Sequence, residues 1–164
     1  MCAPLLLAFA GTSNQGATGF KMLVAMAAIF AAAGKPVLDA AGNLYGTTVF
    51  GGTSNKGTIF KLDSSGVLTV LYSFSGFDGS EPGELVMDAV GNLYGNTFNG
   101  GDHNFGVVFK MDPSGNVTVL HSFAGAGDGK WPTGTLLLSP EGTIFGAALV
   151  GGLHGAGTLF RLKP

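Results

Sequence analysis

The sequence has few of the residues that build most enzyme, metal and nucleic-acid sites. Its 164 residues include one cysteine, Cys2, and one tryptophan, and only 11% are charged. A single cysteine excludes an intramolecular disulfide and a cysteine-based zinc site. The net charge is −2, and the eight Lys and Arg residues are spread along the chain. This argues against a surface that follows nucleic-acid phosphates, which needs basic residues gathered on one face.

Motifs with a known chemistry are also missing. The sequence contains no Gly-x-Ser-x-Gly elbow, no His-Glu-x-x-His pattern and no phosphate-cradling loop. Its apolar run 22–33 is too short to cross a bilayer as a helix, so no transmembrane span is expected. The sequence therefore predicts no catalytic residue, no metal ligand and no cofactor.

What the sequence does contain is an internal repeat. The phrase at Gly42–Thr48 returns 49 residues later at Gly91–Thr97, and after 51 more in a weaker form at Gly142–Ala148. Two further phrases recur at the same spacing. One lies at 57–61, 106–110 and 157–161, and the other lies at 71–74 and 120–123. Self-similarity at a period near fifty is typical of propellers, solenoids and repeat arrays.

Each repeat has the length and turn pattern of a β-propeller blade. Four short apolar runs separated by Gly, Asp and Ser turns fit into each of the first two repeats, as four antiparallel strands would. The fold class is therefore all-β: a propeller-like array of about three four-stranded blades, open or incomplete. The repeats span 37–84, 85–134 and 135–164, and the third lacks its fourth strand. Recurring aromatics, such as Phe74 and Phe109, are expected to pack between blades.

The first 36 residues do not follow the repeat, and two interpretations stay open. Lys21 and the apolar run 22–33, which should be helical, resemble a secretory signal, although about twenty residues precede them. Alternatively, Leu5–Ala10 resembles the last strand of a repeat, followed by an inserted segment. In that case Leu5–Ala10 completes the third blade, in cis or in a partner. Exposed aromatic blade faces at the two ends favour self-association or continuation into a longer propeller.

The repeated phrases resemble those of a known family. Gly-Asn-Leu-Tyr-Gly-Thr-Thr, the Gly-Gly-x-x-x-x-Gly loop, Gly-Thr-Ile-Phe-Lys-Leu and Leu-Tyr-Ser-Phe are similar to the GloVer-type tandem repeat of exported bacterial proteins. The resemblance covers residues 37–164. It implies a secreted or cell-surface location, and it brings no catalytic residues.

Strand counting predicts which end of the array binds ligands. The short turns, such as 40–42 and 63–66, lie at one end, and the longer loops lie at the other. Binding residues concentrate on loops of a rigid scaffold. This long-loop end should present the candidate binding residues Asp78, His103, Asp128, Lys130, Trp131 and His154.

Each candidate also has a structural interpretation. Asp78 and Asp128 precede glycines as turn residues do, and His103 and His154 lack an evident third zinc ligand. Trp131 can stack on a sugar ring or pack against the next blade. The favoured function is a non-enzymatic extracellular module that binds or displays a glycan or another surface ligand. The alternative is a carbohydrate-active enzyme that uses acidic loop residues.

Overall fold

The structure, a computed structural model, describes residues 34–125, 127–152 and 154–164. These residues contain strands and turns but no helix, and hence none that could cross a membrane. The strands are β1 (Val37–Leu38), β2 (Leu44–Thr48), β3 (Thr58–Leu62), β4 (Leu68–Ser73), β5 (Ser80–Met87), β6 (Leu93–Asn99), β7 (Val107–Met111), β8 (Val117–Ser122), β9 (Lys130–Leu138), β10 (Ile144–Val150) and β11 (Thr158–Leu162).

The strands form three antiparallel sheets, one for each repeat. Sheet 1 has the order β1-β2-β3-β4, sheet 2 has the order β5-β6-β7-β8, and sheet 3 has β9-β10-β11. The predicted all-β, propeller-like architecture is confirmed, and the array is not closed. The suggested N-terminal helix and the donated strand Leu5–Ala10 lie outside the described residues.

The repeated Gly-Asn-Leu-Tyr phrase builds a hydrogen-bonded clamp at the first turn of each unit. The Asp39 carboxylate accepts bonds from the Asn43 backbone at 2.8 Å, the Asn43 side chain at 2.7 Å and the Tyr45 hydroxyl at 3.2 Å. These bonds, led by the Asn43 side chain, lower the pKa of Asp39. Asp88 does the same in the second unit. In the third unit Ser139 replaces the aspartate, and its hydroxyl accepts a bond from the Thr143 backbone at 3.1 Å.

A glycine in the second strand of each sheet makes room for a phenylalanine on the third strand. Gly95 pairs directly with Phe109, and a β-carbon placed on Gly95 would lie 2.6 Å from Cζ of that ring. Gly46 with Phe60 and Gly146 with Phe160 repeat the arrangement. An aromatic ring covering a cross-strand glycine compensates for the side chain that glycine lacks. The close approach that these glycines allow is therefore within a sheet, between a glycine and an aromatic ring, and not between the backbones of neighbouring blades.

Aromatic side chains join the sheets, as the repeat predicted. Phe74 of sheet 1 meets Phe109 of sheet 2 edge-on, with ring centroids 5.2 Å apart. Phe123 of sheet 2 meets Phe160 of sheet 3 in the same way at 5.3 Å. Phe74, Phe109 and Phe123 are fully buried. The core of the protein therefore lies between successive sheets.

The first strands of sheets 2 and 3 begin earlier than the sequence indicated. β5 starts at Ser80 and β9 at Lys130, in stretches that the prediction assigned to loops. Both strands contain a bulge in their pairing with the next strand, after Pro82 in β5 and after Thr133 in β9. A bulge accommodates a proline and an extra residue in a strand. Both features interrupt the alternation of apolar and polar residues by which a strand is recognised in a sequence.

Candidate functional site

The longer loops meet at one end of the array and are hydrogen-bonded to one another across the sheet junctions. The Glu81 backbone N–H donates to the Lys56 carbonyl at 3.0 Å, and the Gly101 N–H donates to the Gly76 carbonyl at 3.0 Å. At the next junction the Trp131 N–H donates to the Phe105 carbonyl at 2.8 Å. These bonds hold the long-loop end as a fixed surface on which side chains can be positioned.

Two candidate residues, Asp78 and Asp128, close their own loops. The Asp78 carboxylate accepts from the Ser75 backbone and hydroxyl, both at 2.8 Å, and from the Tyr72 hydroxyl. Asp128 accepts from the Ala124 backbone at 2.8 Å and lies 3.0 Å from Nε2 of His121. His121 occupies the position of Tyr72, so the first two units each hold this aspartate with the side chain at the same strand position. His121 therefore helps to hold the loop that contains Asp128, in addition to forming part of β8.

The two partners of the Tyr72–Asp78 hydrogen bond titrate outside their ordinary ranges. Burial, together with the bond to Asp78 and its negative charge, raises the pKa of Tyr72 to about 12. Burial also acts to raise the pKa of Asp78, but the bonds from Tyr72 and Ser75 outweigh it and lower that pKa. Both shifts favour the pair of neutral phenol and charged carboxylate near neutral pH.

We expect the Tyr72→Phe variant to lose less stability than the wild type as the pH rises into the alkaline range. A group whose pKa is raised on folding stabilises the protein below its unfolded pKa, here about 10, and this contribution disappears as the pH rises through about 12. Thermal melting at several pH values between 8 and 12 should show a smaller decline for the variant than for the wild type. Equal declines would show that the Tyr72 hydroxyl does not contribute.

Lys130 and Trp131 lie together in β9 and belong to an aromatic cluster at the junction of sheets 2 and 3. The Trp131 ring is stacked on Phe98, with centroids 5.9 Å apart and planes 11° apart. Phe105 meets Trp131 edge-on at 6.5 Å, and Nζ of Lys130 lies 4.2 Å from the Phe105 centroid. Trp131 is half-buried and Phe98 is 36% exposed. We call Phe98, Phe105, Lys130 and Trp131 the aromatic patch.

The corresponding junction of sheets 1 and 2 has the same backbone but different side chains. Glu81 occupies the place of Trp131, with φ of 59° against 57°, and makes the same backbone bond across the junction. Lys56 stands where sheet 2 has Phe105, and Val49 stands where it has Phe98. The shared scaffold therefore carries a cluster of three aromatic rings at the second junction, where the first has an aliphatic residue and two charged ones.

The remaining candidates, His103 and His154, are exposed in equivalent loops of the second and third units. Within the part of the chain that the structure describes, no three His, Cys, Asp or Glu side chains are placed to hold a metal ion. The structure thus brings two of the six candidates together, Lys130 and Trp131. Phe98 and Phe105 were not predicted as site residues. The first repeat has no aromatic residue at either equivalent position, and this difference was visible in the sequence.

Open clefts lie at the opposite, short-turn end. One cleft of about 380 Å³ between sheets 1 and 2 is lined by Tyr45, Lys61 and Met111 among others. Similar clefts of about 580 and 620 Å³ lie beside the turns at 139–142 and 39–41. Their main acidic groups, such as Asp39, are already bound within the turn clamps. The clefts therefore offer apolar walls with few free polar groups.

Comparison with known proteins gives one family match and several similar folds. A family model described as the Gloeobacter/Verrucomicrobia repeat matches residues 8–164. No curated protein matches the sequence. Similar solved structures include a streptogramin B lyase (TM-score 0.49, 14% identity), a virginiamycin B lyase from Staphylococcus aureus (0.48, 12%) and a protein assigned as a gluconolactonase (0.47, 19%).

The alignments cover 82%, 79% and 79% of this chain, respectively, but only 41%, 40% and 47% of those proteins. The chain thus spans less than half the length of each. Similarity at this level carries no information on activity.

Proposed function

The chain belongs to the Gloeobacter/Verrucomicrobia repeat family, and on this basis we propose that it is an extracellular or cell-surface repeat module that binds a glycan without turning it over. The antiparallel sheets serve as a rigid support, and the ligand contacts the long-loop end. The proposed ligand-binding surface is the aromatic patch at the junction of sheets 2 and 3.

The observation that supports this proposal is the partly exposed stack of Trp131 on Phe98. An indole ring has an apolar face and one N–H donor, and it can cover the C–H face of a sugar ring while the N–H reaches a hydroxyl. Lys130, held over the Phe105 ring, adds a cation at the edge of the same surface. The backbone bond from Trp131 to Phe105 fixes the patch before a ligand arrives, which reduces the ordering cost of binding.

The same geometry does not favour glycoside hydrolysis. That reaction needs two carboxyl groups facing one scissile bond, one of them free to donate a proton. Asp78 and Asp128 occupy equivalent positions in successive units, and each accepts hydrogen bonds within its own loop. We therefore assign these carboxylates to loop structure.

Retention on immobilised polysaccharides tests the proposal. We expect the wild-type protein to be retained by at least one member of a panel, and Trp131→Ala to weaken that retention about tenfold or more, a size usual for a central aromatic contact. Phe77→Ala is the matched control, because Phe77 is an aromatic residue of the same end that is 89% exposed. It should bind as the wild type does.

Three results would contradict the proposal. Retention that Trp131→Ala leaves unchanged would place the binding surface elsewhere. Turnover of a bound polysaccharide that is lost in Asp78→Asn or Asp128→Asn would show an enzyme instead. Absence of retention across a broad panel would leave a structural repeat without glycan binding.

A further inference from the structure

Lys130 is the charged member of the aromatic patch, and its ammonium group has no acidic partner among the described residues. Nζ lies 4.2 Å from the centroid of the Phe105 ring, where the electron-rich face of the ring attracts a cation. No carboxylate of the described residues lies within 4.0 Å of it, since the one ion pair found there joins His121 to Asp128. An aromatic ring therefore holds the ammonium in place and leaves its charge available to an external anion.

The acidic residue that precedes Lys130 most closely in the chain, Asp128, is already engaged. Its carboxylate accepts a hydrogen bond from the Ala124 backbone at 2.8 Å and lies 3.0 Å from Nε2 of His121. Both contacts hold the carboxylate within its own loop. The negative charge next in sequence to the patch is therefore used in the structure of that loop and does not neutralise Lys130 by direct contact.

The backbone at Trp131 brings the side chains of Lys130 and Trp131 to the same ring. Consecutive side chains of a regular strand point to opposite faces of the sheet. Trp131 has φ of 57°, which departs from regular strand geometry. Both side chains meet Phe105, Lys130 with Nζ 4.2 Å from the ring centroid and the indole edge-on at 6.5 Å between centroids. A sugar lying on the indole therefore has a cation beside it.

The junction of sheets 1 and 2 does not combine these features. Ser80 stands at the position of Lys130, and Glu81 stands at the position of Trp131. The cation of that junction, Lys56, is accompanied by the carboxylate of Glu81, whose backbone N–H donates to the Lys56 carbonyl. The first junction therefore has one group of each charge and no stacking surface, whereas the second has a stacking surface and a cation.

We propose that the glycan bound by the aromatic patch is acidic, an inference that rests on the binding function proposed above. Its anionic group, a uronate carboxylate or a sulfate ester, binds the Lys130 ammonium while a sugar ring lies on Trp131. A lysine ammonium is a compact point charge with three donors, which suits a single oxygen of either group. The neighbouring rings exclude part of the water, and the attraction between opposite charges is stronger where the effective dielectric constant is lower.

Acidic and neutral forms of the same polymer test the inference on the full chain. Biolayer interferometry compares polygalacturonate with its fully methyl-esterified form, and dextran sulfate with dextran. The wild type should bind at least one acidic form about tenfold or more tightly than its neutral counterpart, because hydrogen bonds between charged groups are about twice as strong as neutral ones. This preference should fall as the salt concentration rises. The polymer pair that shows it identifies the anionic group as carboxylate or sulfate.

The ratio of the acidic to the neutral affinity isolates the contribution of Lys130. Lys130→Gln should bring this ratio close to one, and Lys130→Arg, which keeps the charge, should preserve most of it. Lys56→Gln is the matched control, because it removes the same charge from the long-loop end at the first junction. It should keep the ratio of the wild type, and circular dichroism checks that all three variants fold.

Equal affinity of the wild type for the acidic and neutral forms in both pairs would overturn the acidic ligand, while binding to both forms would still support the proposed glycan binding. A ratio that Lys130→Gln leaves unchanged, or lowers no more than Lys56→Gln does, would also overturn it. Absence of binding to all four polymers would overturn it as well, and the broader polysaccharide panel then shows whether the proposed function fails with it.

Discussion

Phe109→Ala is expected to lower the free energy of unfolding by about 3–5 kcal/mol. Phe109 is 0% exposed, it covers Gly95 within sheet 2, and it meets Phe74 of sheet 1 at 5.2 Å. Truncating the ring leaves a cavity between two sheets and removes an aromatic contact that adds about 0.5–1.5 kcal/mol beyond burial. Urea unfolding followed by circular dichroism measures the change.

The control for this substitution is Phe77→Ala, which removes an equally large ring at a position 89% exposed. We expect it to change the free energy of unfolding by less than about 0.5 kcal/mol. If Phe109→Ala unfolds the protein completely, Phe109→Leu should still give a measurable loss of about 1–2 kcal/mol. A cost for Phe109→Ala no larger than that of the control would contradict the packing described between sheets 1 and 2.

Gly95→Val is expected to destabilise the protein by roughly 1–3 kcal/mol through overpacking. A β-carbon at this position would lie 2.6 Å from Cζ of Phe109 and 3.0 Å from Cδ2 of Leu85, so both side chains must move. Each of these residues is nearly fully buried and has little room to relax. The same urea titration measures the loss, and an unchanged midpoint would contradict this explanation.

A double variant separates overpacking from other effects of valine. In the Phe109→Ala background the ring is gone, so the valine at position 95 should cost less, or even restore part of the lost stability. Residues in contact commonly show coupling free energies of 0.5–3 kcal/mol. Additive losses in Gly95→Val/Phe109→Ala would show that the two residues do not compete for one space.

The sheets could be predicted from the sequence because the same pattern of apolar runs and turns occurs in three successive repeats. Most strands begin or end next to a turn that contains Gly or Asp, and these turns are visible in the sequence. The Asp39–Asn43–Tyr45 clamp was also visible in principle. Its three members are kept together in the second unit and are replaced together by Ser139, Thr143 and Phe145 in the third.

Only two members of the aromatic patch, Lys130 and Trp131, were predicted from the sequence. Trp131 was predicted as a candidate because it is the single tryptophan, but its partner Phe98 lies on another strand. Their stacking depends on a bulge and on a positive φ at Trp131, which no apolar pattern encodes. For this reason Lys130 and Trp131 belong to a strand, β9, although the sequence pattern predicts a loop at these positions.

Phe145 in sheet 3 is more exposed than its counterpart Tyr94 in sheet 2. Phe145 aligns with Tyr45 and Tyr94, and the sequence alone predicted for it the same buried role between blades. Tyr94 packs in the cluster between sheets 2 and 3, whereas none of the other described sheets packs on Phe145. The structure therefore corrects this prediction: Phe145 is 38% exposed, whereas Tyr94 is 6% exposed.

The most direct test of the proposed glycan binding uses the fluorescence of Trp131, the only tryptophan in the sequence. The polysaccharide that best retains the protein is hydrolysed to oligosaccharides, which are then titrated into the wild-type protein. We expect a saturable change in Trp131 emission that gives the same dissociation constant as calorimetry, with a stoichiometry of one site per chain. Calorimetric binding that leaves the emission of Trp131 unchanged would contradict it.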